Sequence, residues 1–284
     1  KRLKPKKLQL KFADSFVSKC FGFLVQVFGN FELRSSLTDL HLNLLQGKNN
    51  EFANLNLPAL FEQLQENYSG LKTLSLKTNK GVNLTKDNRP KFFSFIEKLN
   101  NLEGLSLNFR GSALLGSDIK SFAKALENKK KMKYLSLKLS GAYKIQDDAM
   151  FSLISVIQSY NSLEYLGLNF KGCANLTTAF FEKMEKSFSE LKNLKSLKLN
   201  IDTNSEYGGN PFASISKGIK NLTQLESLKL GLPTTEECEK EPLKLFPKIS
   251  GSLKKLKSLY LRMSERSSDK EVQELKKILP DLEK

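Results

Sequence analysis

The chain has 284 residues, with 46 Lys+Arg against 30 Asp+Glu for a formal charge of +16, and one histidine, so multi-histidine metal sites are excluded and anionic partners come within reach. Its three cysteines, Cys20, Cys173 and Cys238, are an odd number set far apart with no C-x-x-C pair. That excludes a regular disulfide framework and points to a reducing compartment.

An eight-position pattern, L-x-x-L-x-L-x-φ with φ apolar, begins at Pro5, Leu37, Leu71, Leu102, Met132, Leu163, Leu194, Leu225 and Leu256. The spacings are 32, 34, 31, 30, 31, 31, 31 and 31 residues. Apolar fourth and sixth positions put both side chains on one face of a short strand. Apolar residues recur about 13, 10, 6 and 3 places ahead of the next copy, as Phe181, Met184, Phe188 and Leu191 do before Leu194, which is helical spacing. Each unit is therefore predicted to be a strand, a loop, a helix and a return. A unit of that size cannot bury its own apolar face, so neighbours must stack into one continuous core.

In chain order, the basic run Lys1 to Lys7 leads straight into the strand motif Leu8-Gln-Leu10-Lys-Phe12, which has no capping element before it and reads as an exposed edge to be covered by an earlier segment or by a partner. Phe16 to Phe31 is the most apolar window, too short to cross a membrane and broken by Gly22, Gln26 and Gly29. Its Leu24, Val27 and Phe31 fall at helical spacing before Leu37 and predict the first outer helix. From Leu37 to Leu232 helix starts are expected at Ser117-Asp118, Asp147-Asp148, Thr177-Thr178 and Asn210-Pro211. The polar loops Ser140 to Asp147 and Thr203 to Gly209 belong to one rim. The linker Pro233 to Pro242 gathers four glutamates and reads as a solvated acidic loop. A last helix is expected near Asp269 to Ile278, and Leu279-Pro-Asp-Leu282 looks like the first half of a further motif. The N-x-S/T sequons at Asn67, Asn83, Asn175 and Asn221 are read as chance in a chain rich in Asn, Ser and Thr.

This pattern resembles the leucine-rich repeat family, and its helix-containing unit is most similar to the ribonuclease-inhibitor-like subclass. The resemblance implies an α/β fold: a right-handed horseshoe solenoid with a parallel sheet inside and helices outside. It covers residues 1–284 as a single domain of about nine repeats, a fragment or the ordered part of a longer chain. The family's Asn or Cys, three places after the sixth-position leucine, is matched by Asn79. Leu45, Arg110, Ser140, Lys171, Asp202 and Pro233 stand there elsewhere, so the internal asparagine ladder is not expected and the turns after the strands are expected to be looser. No catalytic motif of the Ran GTPase-activating proteins, which share this repeat class, matches residues here. Abundant Lys, Asn and Phe without Trp resembles the leucine-rich repeat proteins of protists, which often serve as subunits of large assemblies, cilia included.

The chain offers little for chemistry. His41 sits at the fifth position of its strand, on the exposed face, and neither a phosphate-binding loop nor a dinucleotide fingerprint is present. The Asp147-Asp148 pair is explained by helix capping, without metal. No enzyme activity, cofactor, metal or small-molecule substrate is expected. Binding is expected instead, on the inner face, where the third, fifth and seventh positions of each motif project. That face carries seven basic residues and one acidic one, small Ser and Gly in its middle, and Tyr134, Tyr165 and Tyr260 as amphipathic anchors. The residues expected to touch a partner are Tyr134, Lys138, Tyr165, Asn169, Lys198, Lys229, Tyr260 and Arg262. The expected function is a non-enzymatic protein–protein interaction module, a scaffold or structural subunit, with protein partners that include acidic ones. The alternative is a nucleic-acid-binding module using the basic face. No membrane span is expected, and the implied location is intracellular: cytoplasmic, in a cytoskeletal or ciliary assembly, or nuclear.

Overall fold

The computed structural model describes residues 5–12, 22, 25–29, 36–44, 57–78, 84, 86–110, 113–201, 211–231 and 249–262. Nine strands occupy the motif positions: β1 (Lys7–Phe12), β2 (Asp39–Leu44), β3 (Thr73–Thr78), β4 (Gly104–Asn108), β5 (Tyr134–Lys138), β6 (Tyr165–Asn169), β7 (Ser196–Asn200), β8 (Ser227–Gly231) and β9 (Ser258–Arg262). They form one sheet in sequential order, every neighbour parallel. Between them lie α1 (Leu57–Asn67), α2 (Arg89–Lys98), α3 (Gly116–Leu126), α4 (Asp147–Gln158), α5 (Thr178–Phe188) and α6 (Pro211–Lys220). This is the leucine-rich repeat architecture, an α/β solenoid. Neighbouring strands sit about 4.8 Å apart while packed helices need about 8–10 Å, so the stack bends with its sheet on the inside.

The register aligns equivalent positions. Leu105 pairs with Leu135 and Leu107 with Leu137, and so on along the sheet. The first, fourth and sixth positions from β2 to β8 are all buried, whereas Leu8 and Leu10 in β1 and Leu259 and Leu261 in β9 are half-buried, with a neighbouring strand on one side alone among the described residues. Each fully buried leucine contributes about 1.5–3 kcal/mol. The eighth position adds Phe109, Leu139, Phe170 and Ile201 to the core. On the helix side, Phe61, Phe92, Phe109 and Phe122 link successive repeats, with ring centroids 4.9, 6.2 and 5.4 Å apart in turn.

Where the turns after β4, β5 and β6 are described they are held by hydrogen bonds rather than loose, which differs from the expectation raised by the missing family asparagine; Leu45, Asn79, Asp202 and Pro233 lie outside the described residues. The eighth-position N–H continues the sheet bonding by one step: Phe109 N donates to Lys138 O, Leu139 N to Asn169 O and Phe170 N to Asn200 O, at 2.7–2.8 Å. Seventh-position asparagines close the bend, since Asn108 Oδ1 accepts from Arg110 N at 3.1 Å and Asn169 Oδ1 from Lys171 N at 3.0 Å. Two helix starts also differ from the expectation. In α3 the cap residue is Leu115, whose N–H is accepted by Asp118 at 2.7 Å. In α4 the paired aspartates reach other repeats: Asp147 accepts from Thr177 N at 2.9 Å, and Asp148 pairs with Lys120 at 2.7 Å. Thr177 does cap α5, accepting from Ala179 N at 3.2 Å. Val25 to Phe28 are helical, as expected of the apolar window, but Leu24 and Phe31 lie outside the described residues, as do the rim loop 203–209, the acidic linker and the expected last helix.

A second joint lies at the helix ends, three residues before each first leucine. Leu99, Leu191, Leu222 and Leu253 simply fill the core there. The same position holds Tyr68, Lys129 and Tyr160, each reaching back one repeat to a helix-end carbonyl: Tyr68 Oη to Phe28 O at 3.1 Å, Lys129 Nζ to Glu97 O at 2.7 Å, Tyr160 Oη to Leu126 O at 2.7 Å. These carbonyls lie at helix ends, where intrahelical donors run out, and a side-chain donor from the next repeat caps them. Removing the Tyr160 hydroxyl by Tyr160→Phe takes away one of two donors to Leu126 O, which keeps Lys129 N at 3.1 Å, and is expected to cost about 0.5–1.5 kcal/mol in chemical denaturation. Tyr143→Phe, at a ring 57% exposed, is the control that should change nothing.

A third joint is electrostatic. The second position of successive repeats reads Lys72, Glu103, Lys133, Glu164, Lys195, Glu226, Lys257. The signs alternate along the edge where the chain enters the strands. Glu103 pairs with Lys133 at 2.9 Å and with Lys72 at 3.7 Å, Glu164 with Lys195 at 2.9 Å and Glu226 with Lys257 at 3.0 Å. The hydrogen bond from Lys133 holds the Glu103 carboxyl below its ordinary 4.5 against the opposing effect of desolvation, with lesser help from the charges of Lys133 and Lys72. A carboxyl lowered on folding adds stability above its unfolded pKa and loses it as pH falls through the folded value. Glu103→Gln is therefore expected to lower Tm slightly at pH 7, with a deficit that shrinks in high salt and vanishes once the carboxylate is protonated. A Tm series against pH checks this.

Candidate functional site

Three rows of side chains cross the inner face because the register aligns third with third, fifth with fifth and seventh with seventh positions. From β5 to β9 the third-position row is Tyr134, Tyr165, Ser196, Ser227, Ser258. The fifth-position row is Ser136, Gly167, Lys198, Lys229, Tyr260, and the seventh is Lys138, Asn169, Asn200, Gly231, Arg262. Large groups thus flank small ones, and a groove of about 230 Å³ opens over the small ones. Five of the eight residues expected to touch a partner line it: Lys138, Asn169, Lys198, Lys229 and Tyr260.

Tyr134 and Tyr165 stand beside this groove. Their rings stack at 4.2 Å between centroids with 9° between planes. The stack exists because Gly167 has no side chain: a Cβ there would lie 3.0 Å from Tyr165 Oη, so the glycine lets the ring lie down along its own strand. Burial, reinforced by the neighbouring Tyr134 hydroxyl, pushes the Tyr165 hydroxyl up to about 12, so it stays protonated. Tyr134 keeps 40% of its surface exposed and forms one wall of a second, more apolar hollow with His41, Ser75 and Glu103. An exposed aromatic held rigid by a stacked neighbour loses little conformational freedom when a partner covers it. Arg262 takes the last place of the seventh-position row at the level of the backbone.

The groove is positive. Lys198 is exposed on the sheet face, and partial desolvation first, then the charges of Lys229 and Lys138, bring its pKa below the ordinary lysine value. Lys229 Nζ sits 3.8 Å from the centre of the Tyr260 ring, a cation–π contact that props the ring half exposed over the groove's far end. Gly231 leaves room beside it for the Asn200 amide, whose Oδ1 would lie 2.8 Å from a Cβ there. Among the described residues no carboxylate lines the groove. Glu103, Glu164 and Glu226 are engaged along the strand entrances instead.

Reading single strands identifies the projecting residues but not the groove. Ser136, Gly167, Asn200 and Gly231, which shape it, emerge only when the rows are written across the register. His41 is half-buried, and burial together with the Lys7 charge lowers its pKa, so it is neutral at physiological pH. Cys173 is buried and free, its Sγ donating to Leu139 O at 3.3 Å, and burial pushes its pKa up to about 11, so it is no nucleophile. Cys20 and Cys238 lie outside the described residues. Among the described residues no cluster of His, Cys, Asp or Glu could hold a metal ion, and no helix is long and apolar enough to cross a membrane.

No protein-family model and no curated protein matches the chain. Solved structures similar to it include the leucine-rich repeat-containing protein LegL7 from Legionella pneumophila, at 14% identity over 98% of this chain and 92% of that one, with a TM-score of 0.46. Leiomodin-1 actin-binding site 2 is similar at 15% identity over 60% of this chain and 89% of its own, with a TM-score of 0.43. The tropomodulin C-terminal domain of Caenorhabditis elegans is similar at 13% identity over 59% of this chain and 93% of its own, with a TM-score of 0.42. With identities and TM-scores this low, the functional reading rests on the chain's own residues.

Proposed function

We propose that this chain is a non-enzymatic protein-interaction module, a single repeat domain acting as a scaffold subunit inside the cell, and that it holds its partner on the inner face over β5 to β9. The observation that carries this reading is the stacked, partly exposed Tyr134–Tyr165 pair set at the margin of a positive groove. Rigid aromatics beside a small-residue floor are what a protein partner uses as an anchor and a seat. Lys138, Asn169, Lys198, Lys229, Tyr260 and Arg262 complete the surface, and an acidic partner segment complements them.

Nucleic acid fits this surface less well. A base needs a free aromatic face on which to stack. Here Tyr134 and Tyr165 take up one face of each other's ring and the Lys229 ammonium one face of Tyr260, which halves the faces open to stacked bases.

The test uses the full chain as bait in a cell extract, with Tyr134→Ala and nuclease treatment as the variables. Protein partners are expected to survive nuclease, and once one is identified, Tyr134→Ala is expected to weaken it by about 1–3 kcal/mol. Complete loss of all partners on nuclease treatment would favour the nucleic-acid reading.

A further inference from the structure

We propose that the groove floored by Gly167 and ringed by Lys138, Lys198 and Lys229 is a receptor for a phosphomonoester dianion carried on a side chain of the protein partner. This deepens the interaction reading above and rests on it for the source of the phosphate. The first support is that the polar rim offers mainly hydrogen-bond donors. The lysines supply three ammonium groups, and Asn169 has its Oδ1 turned back to Lys171 N at 3.0 Å, which leaves its amide NH₂ for a ligand. Such a rim suits an anion with several acceptor oxygens better than a zwitterion or a sugar.

The second support is that the charges converge. Lys138 and Lys229, on strands either side of Lys198, both act on its ammonium, and among the described residues no carboxylate in the groove offsets them. Like charges held together in a shaped hollow carry a cost that a multiply charged anion relieves. A phosphomonoester brings nearly two charges and three acceptor oxygens to one point, whereas a carboxylate brings one charge. The third support is size: about 230 Å³ is below the roughly 300–1,000 Å³ of a free small-molecule pocket, which suits one group presented by a larger partner.

The probe is phenyl phosphate, titrated into the full chain at constant ionic strength and followed by NMR of ¹³C-labelled lysines. Saturable shifts are expected at Lys138, Lys198 and Lys229. Binding should weaken at least about fivefold in Lys198→Gln, and again at pH 5, where the phosphate of pKa about 6 has taken up a proton, while Lys198→Arg should retain it. Without ligand, Lys198→Gln should raise Tm slightly, because it removes a repelled charge. Non-saturating shifts spread over all the lysines, or equal binding of acetate, would overturn the site. A partner captured through Tyr134 whose binding is abolished by phosphatase supports the partner-borne source. Capture that depends on Tyr134 but survives phosphatase would overturn that source and leave the interaction reading intact.

Discussion

Everything in this molecule depends on parallel strands stacking in register, leucine on leucine. A repeat of this kind has no core of its own, so the fourth- and sixth-position leucines become buried only when the next repeat supplies the other side. The half-buried Leu8, Leu10, Leu259 and Leu261 at the two ends of the sheet show the same rule from the opposite direction. Register does more than bury leucines. It sets every third, fifth and seventh residue beside its counterpart about 4.8 Å away, so that unremarkable single residues become rows. A tyrosine in one repeat and a tyrosine in the next become a stacked pair, and lysines two strands apart become one field.

The electrostatics follow from that alignment. A chain with 46 basic and 30 acidic residues has acids enough to neutralise much of its surface locally, but the acids that follow each first leucine sit at the second position, where lysines of neighbouring repeats meet them. Each exposed pair of this kind contributes little to stability. The consequence for the inner face is larger, because Lys138, Lys198 and Lys229 remain without a carboxylate among the described residues of their groove. Screening along the edge and uncompensated charge on the face arise from one sequence period read at two of its positions.

The strands were legible in the sequence because their signal is local: alternating leucines at a fixed period admit one arrangement, and all nine begin at the third position of their motif. The described helices between β2 and β8 were legible for the same reason, through Phe181, Met184 and Phe188 and their counterparts. What a single repeat does not reveal is any interaction whose partners lie about thirty residues apart. Tyr68, Lys129 and Tyr160 look like lapses from leucine until the carbonyl of the previous helix is seen opposite them. Asp147 and Asp148 read as ordinary caps because the Thr177 and Lys120 that hold them belong to other repeats. The alternation from Lys72 to Lys257 was present in the sequence throughout, and writing the repeats beneath one another makes it plain. The groove needed the register as well, since its floor is made by glycines whose meaning lies in the rings and amides of adjacent positions.

The central claim is that the inner face over β5 to β9 is where a partner sits. Lysine acetylation footprinting, read by mass spectrometry on the free chain and on the chain saturated with a captured partner, addresses it directly. The account predicts that Lys138, Lys198 and Lys229 become protected, while Lys124 and Lys186 on the outer helices and Lys72, Lys195 and Lys257 along the strand entrances keep their rates. Protection confined to the outer helices, with the three inner lysines still reacting as in the free chain, would contradict it.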